Sequence, residues 1–173
     1  MKNILLPLFL IGLILIQACE GPVGPEGPQG PAGITVEADI FETVGTFTEQ
    51  DGFAVGNTYE AFGGVFLPTD KLLIYHLWEE GVDDVWRLLP QTIFLEQGIF
   101  QYNFDFTNFD FQIFLQGNFD LNLLGPEWTD EQVFRLVIIP TVATNFRIDY
   151  SNYEEVVKHF NLDESNIPRI PLK

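Results

Sequence analysis

The stretch Phe100-Gln101-Tyr102-Asn103-Phe104-Asp105-Phe106-Thr107-Asn108-Phe109-Asp110-Phe111-Gln112-Ile113-Phe114-Leu115-Gln116 decides the fold class. In an extended chain Phe100, Tyr102, Phe104 and Phe106 face one way, and Gln101, Asn103 and Asp105 face the other. After Thr107-Asn108, the residues Phe109, Phe111, Ile113 and Leu115 alternate with Asp110, Gln112 and Gln116. Phe114 is the one apolar residue on the polar side. Strand side chains alternate with a period of two, so the segment predicts an antiparallel hairpin with one face turned to a core.

Working outward, further strands are predicted over Thr35 to Phe47, Tyr59 to Leu67, Leu72 to Trp78, Val85 to Leu89, Thr92 to Leu95 and Val133 to Ile139. Leu72 to Trp78 and Val133 to Ile139 are apolar on both faces, as central strands are. Pro68, Pro90 and Pro140 fall at strand ends or bulges, where a missing N–H is tolerated. The reading is mainly β: an antiparallel β-sandwich, or a partly open barrel, of about seven to eight strands.

One short C-terminal amphipathic helix joins them. Ser151-Asn152-Tyr153-Glu154 reads as a capping box with Ser151 at the N-cap. Tyr153, Val156, Val157 and Phe160 then make one apolar stripe against the sheet, and Asn161 terminates the helix.

The N-terminus is of a different kind. Met1-Lys2-Asn3 gives a short positive start, and Ile4 through Ile16 is an apolar run broken only by Pro7 and Gly12. Ala18 precedes Cys19, the single cysteine of the chain. A charged start, a short apolar run and a small residue before the cut make a secretory signal. A membrane span needs about 20 apolar residues, more than this run supplies. Ile16-Gln17-Ala18-Cys19 resembles the lipobox of bacterial lipoproteins. The resemblance implies that the Cys19 thiol takes a diacylglyceryl group and that the Ala18–Cys19 bond is then cut. One acyl chain holds a protein only marginally, whereas two or three hold it durably, at about 0.8 kcal/mol per buried CH₂.

Behind the cysteine, Gly21, Gly24, Gly27, Gly30 and Gly33 recur at every third position, and proline follows each of the first four. This is the collagen pattern, in which only glycine fits at the triple-helix axis. It resembles the short collagen-like tracts that follow the lipidated cysteine in some Gram-negative lipoproteins. The tract can act as an extended polyproline II spacer of roughly 40 Å, at about 3.1 Å per residue, or as one strand of a homotrimer. The spacer, with a monomeric domain, is preferred, because so short a tract cannot offset its ordering entropy. The organisation is therefore a signal peptide over 1–18, a lipidated cysteine with its stalk over 19–33, and one β-rich domain over 34–173. Trp86-Arg87-Leu88-Leu89-Pro90-Gln91, the Phe-rich hairpin and Val133-Phe134-Arg135-Leu136 resemble uncharacterised β-rich domains behind such stalks. That resemblance implies architecture and address, and no activity.

The formal net charge is −17, from 25 acidic and 8 basic residues. So negative a chain repels phosphate, which argues against nucleic acid as a partner. A lone cysteine excludes an internal disulfide and any zinc site built on several thiolates. The glycines of the tract lack the Gly-x-Gly spacing of a dinucleotide loop.

Candidates for chemistry are few. His76 lies in an apolar strand and His159 on the polar side of the helix; the serines are Ser151 and Ser165, and no motif frames a nucleophile. Glu79-Glu80 and Asp83-Asp84 could serve glycoside hydrolysis if held about 5 to 9 Å apart in a cleft, but Gly81-Val82 between them predicts a solvated turn. Asp105, Asp110, Asn118, Asp120 and Asn122 are rich in oxygen without an EF-hand spacing. Of Trp78, Trp86 and Trp128, aromatic core is the ordinary role. Trp128, in the polar loop Gly125-Pro126-Glu127-Trp128-Thr129, is the candidate ring for stacking on a ligand.

The expected protein is a non-enzymatic lipoprotein of the cell envelope, with the outer membrane preferred over the inner. Its membrane partner is reached through lipid on Cys19, and neither a cofactor nor a metal site is expected. The alternatives are a surface module for a glycan or peptide ligand and, behind it, a carboxylate-based hydrolase.

Overall fold

Nine strands form in the computed structural model, which describes residues 38–63, 66–140 and 147–172. In chain order these are β1 (Asp39–Gly45), β2 (Ala54–Thr58), β3 (Lys71–Glu79), β4 (Val85–Leu88), β5 (Gln91–Leu95), β6 (Gly98–Phe106), β7 (Asp110–Gly117), β8 (Gln132–Ile139) and β9 (Arg169–Pro171). Two α-helices, the single turn α1 (Pro126–Thr129) just before β8 and α2 (Tyr153–Phe160) between β8 and β9, join them, with two 3-10 turns at Tyr59–Phe62 and Leu121–Leu123. The leader, Cys19 with Ala18, and the Gly21–Gly33 tract lie outside the described residues.

The strands make two sheets, one of five in the order β4-β3-β8-β1-β9 and one of four in the order β2-β7-β6-β5. Every pairing is antiparallel except that of β9 with β1. The Phe-rich segment is the β6–β7 hairpin, with Tyr102 opposite Leu115 and Phe104 opposite Ile113. Phe100, Tyr102, Phe111, Ile113 and Leu115 are buried against the five-stranded sheet, where Leu72, Ile74, Phe134, Leu136 and Ile138 meet them. Burying each such side chain stabilises the fold by about 1.5–3 kcal/mol. The result is a β-sandwich.

The five-stranded sheet buries its outer face as well. Tyr75, Val137 and Ile139 pack there against Tyr153, Val156 and Phe160 of α2. This is why β3 and β8 are apolar on both faces. The stripe read from the sequence is the one α2 buries, and Asn161 ends the helix in a left-handed conformation at φ 51°.

Three expectations need correction. The described residues between Tyr59 and Leu67 form no strand. Tyr59–Phe62 is a 3-10 turn closed by Gly63 at φ 71°, and Tyr59 is buried by stacking on Phe66 at 4.7 Å rather than by facing a sheet. The strand lies before it, as β2. There Gly56 passes so close to β7 that a Cβ would lie 2.3 Å from the Phe111 carbonyl oxygen. Secondly, the N-cap of α2 is Asn152, whose side chain accepts from the Glu155 N–H at 3.2 Å. Ser151 instead donates its hydroxyl to Asp149 at 2.7 Å. Thirdly, β9 adds a strand that no alternation announced.

Candidate functional site

The pairing of β3 with β8 positions the site. Their antiparallel ladder ends at His76 opposite Phe134, so the exit of β3 lies beside the entry to β8. Leu77 and Trp78 follow His76 on β3, while Gln132 and Val133 open β8. Pro126 stands at the start of α1, where its missing N–H costs nothing. That turn delivers Glu127 and Trp128 to the same end of the sandwich. Together with Glu80 and Glu131, these residues line a cleft of about 450 Å³.

Its walls are aromatic. The Trp78 and Trp128 rings stand 6.0 Å apart between centroids, inclined at 46°. Trp128 is half-buried, edge-on to Phe100 at 5.5 Å, and its carbonyl accepts the Tyr102 hydroxyl at 2.5 Å. The Arg87 guanidinium lies over Trp78, 3.7 Å from the ring centroid. Trp128 is therefore an anchored wall rather than a free platform. The third tryptophan, Trp86, is buried on the other face of the sheet, against α2.

His76 has a defined hydrogen-bonding state. Gln132 donates through Nε2 to the carbonyls of Glu127, at 3.2 Å, and Asp130, at 2.7 Å. Its Oε1 must then be the atom facing His76, at 2.9 Å. An amide oxygen only accepts, so His76 Nε2 carries the proton and Nδ1 holds a lone pair. Nδ1 is buried and has no partner among the described residues. His76 is 3% exposed, between the Tyr102 ring at 4.5 Å and the Phe134 ring at 4.9 Å. Burial, aided by the nearby Arg87 charge and opposed by the Gln132 bond, lowers its pKa to about 4.

The carboxylates are arranged otherwise. Glu79, Glu80, Asp83 and Asp84 all sit exposed at the β3–β4 turn, where Asp84 accepts from the Gly81 N–H at 3.1 Å. They do not face one another across a cleft, and of the four only Glu80 reaches the aromatic walls. The oxygen-rich residues of the β6–β7 region serve separate local turns. Asp110 accepts from Thr107, Asp120 from Asn122, and Asn118 from the Ile99 N–H. Among the described residues, no group of three or more His, Cys, Asp or Glu is placed to hold a metal ion. His159 is exposed on α2.

Sequence reasoning found Trp128 but not its partners. Nothing local links residue 78 to residue 128; only the β3–β8 register brings them together. Comparison with known proteins finds no matching family model, no matching curated protein and no matching solved structure.

Proposed function

We propose that the chain is an exported envelope lipoprotein, held by acyl chains on Cys19 and presenting its β-sandwich beyond a collagen-like spacer as a non-enzymatic binding or structural module. One observation carries the anchor: the only cysteine follows Ile16-Gln17-Ala18 directly behind an apolar leader. The Gly21–Gly33 tract supports it, since a stiff spacer serves a domain fixed to a surface. Among the described residues no helix is long and apolar enough to cross a membrane.

The aromatic cleft favours binding over a purely structural role. A glycan or peptide reading through Trp128 gains a second ring, Trp78, and a polar rim. The hydrolase reading has lost the facing carboxylates on which it depended.

Labelling cells with an alkyne fatty acid tests the anchor. The native chain takes the label and Cys19→Ala does not, and the mass of the native N-terminus shows acylated cysteine after loss of 1–18. Equal labelling of both chains, or a bare Cys19, overturns it.

A further inference from the structure

We infer that the cleft between Trp78 and Trp128 is a binding site for an alkylammonium group, the chemistry shared by a lysine side chain and a free primary amine. The inference rests on the binding half of the reading above and is independent of the anchor.

Four observations converge. First, the cleft carries Glu80, Glu127 and Glu131 at its rim, all exposed, and none forms an ion pair among the described residues. Three carboxylates around a low-dielectric wall focus a negative potential that attracts cations.

Secondly, the walls suit an alkyl stem ending in a cation. Leu77, Val133 and the two indoles offer apolar surface. Indole faces attract cations through their quadrupole. Arg87 already covers one face of Trp78, so the cation of a ligand is left to the carboxylates and to the Trp128 ring. The centroid separation of 6.0 Å leaves no room to sandwich a sugar ring between the indoles. Inclined at 46°, they form a corner instead, along whose open side, lined by Leu77 and Val133, a narrow stem can lie.

Thirdly, His76 lines the cleft as a neutral ring, its Nδ1 buried and without a partner among the described residues. The nearby cation, Arg87 over Trp78, is outnumbered by the three carboxylates of the rim.

Fourthly, the rim is held at a conformational cost. Glu131 has φ 48°, in the left-handed region that disfavours a side-chained residue. Its N–H donates to Thr46 Oγ1 at 3.2 Å, which fixes that geometry. The Glu127 carboxylate folds back over Gly125, where a Cβ would lie 2.1 Å from its oxygen.

The test follows the tryptophan indole N–H resonances of the full chain in uncharged detergent micelles, assigned by single Trp→Phe substitutions. n-Butylammonium is the first probe, Nα-acetyl-lysine methylamide the second and methyl glucoside the third. Both amines are expected to shift Trp78 and Trp128 and to leave Trp86 still, since Trp86 lies on the opposite face of the sheet. Tighter binding of the lysine derivative assigns the source to a polypeptide, and equal binding to free amines. Glu127→Gln with Glu131→Gln lowers the affinity by about fivefold or more, whereas Glu154→Gln on exposed α2 leaves it unchanged. Glu131→Asn, which tolerates the left-handed backbone, keeps the fold and loses affinity. The inference is overturned if the amines leave the two rings unmoved, whether or not the glucoside shifts them. It is also overturned if the amine shifts survive the double substitution, or if Trp86 moves as much as the others. Failure here leaves the acylation of Cys19 to be judged by the N-terminal mass alone.

Discussion

Arg135 lies over Trp86, its guanidinium carbon 4.0 Å from the ring centroid. The same group donates to Glu164 at 2.6 Å and to the Tyr153 hydroxyl at 2.7 Å, and faces Glu42 at 3.5 Å. One side chain of β8 thereby joins β1, β4, α2 and the segment leading to β9. A planar guanidinium can stack and bond at its edge at once, which an ammonium cannot.

Removing that group therefore costs more than a surface ion pair. Arg135 and Glu42 have side chains only 12% and 13% exposed. Arg135→Met keeps some packing but leaves Glu42 to Arg169 alone, whose side chain is 77% exposed. The expected loss is about 2 kcal/mol. It is read as a lower urea midpoint with an unchanged slope. Arg135→Lys recovers less than half of it. Full recovery by lysine would show that charge, rather than the stack, holds the layers.

Acid sensitivity should localise to His76. Its pKa falls from 6.5 to about 4 on folding, so the unfolded chain binds the extra proton between those values. Stability is fully present above about pH 6.5 and is lost as the pH falls toward 4. Between pH 7 and pH 5 the loss is about 2 kcal/mol. His76→Phe, which cannot titrate, should show a flatter dependence over that interval by the same amount. Parallel curves for the two proteins would mean that folding does not lower the His76 pKa. Asp149 and Asp163 have carboxyls held below the usual range by Ser151 and Ser165 respectively. Their effect falls at lower pH and leaves the interval clear.

β9 should depend on two side chains rather than on its own sequence. Thr43, 1% exposed, donates to the Ile170 carbonyl at 2.7 Å. Asn57, on β2 of the other sheet, donates to the Pro171 carbonyl at 2.5 Å. Thr43→Val keeps the volume and removes the donor, leaving a carbonyl short of a partner. The expected cost is about 1–2 kcal/mol. Hydrogen exchange should rise at the Glu42 amide, which donates to Pro168, and stay unchanged in the β6–β7 hairpin. Equal change in both places would mean global destabilisation rather than release of β9.

These dependences show what the sequence could and could not display. The hairpin from Phe100 to Gln116 was legible because single-face burial is written as alternation, and β3 and β8 because burial on two faces is written as an apolar run. β9 was not, since Arg169-Ile170-Pro171 is too short to alternate and is held by donors from residues 43 and 57. β2 was hidden by Gly56, an ordinary turn signal that here permits close approach to β7. The cleft was half legible. Trp128 stood out in a polar loop, but its pairing with Trp78, and the orientation that Gln132 imposes on His76, arise only from the strand register.

The start of α2 offers a sharp test, because two adjacent residues compete for one role. Ser151 fits the capping-box pattern, yet its hydroxyl and its N–H are both bound to Asp149 Oδ1, at 2.7 and 2.9 Å. Asn152 has the extended backbone of an N-cap, at φ −92° and ψ 101°, and its side chain satisfies the Glu155 N–H. Asn152→Ala should cost about 1 kcal/mol, the usual value for losing such a cap. Ser151→Ala should cost less than about 0.5 kcal/mol, because it removes only an exposed turn contact. Since α2 covers the outer face of β3 and β8, the first substitution should also raise hydrogen exchange at Val156 and Phe160. A larger effect at Ser151 than at Asn152 would return the cap to the serine and shift the helix start by one residue.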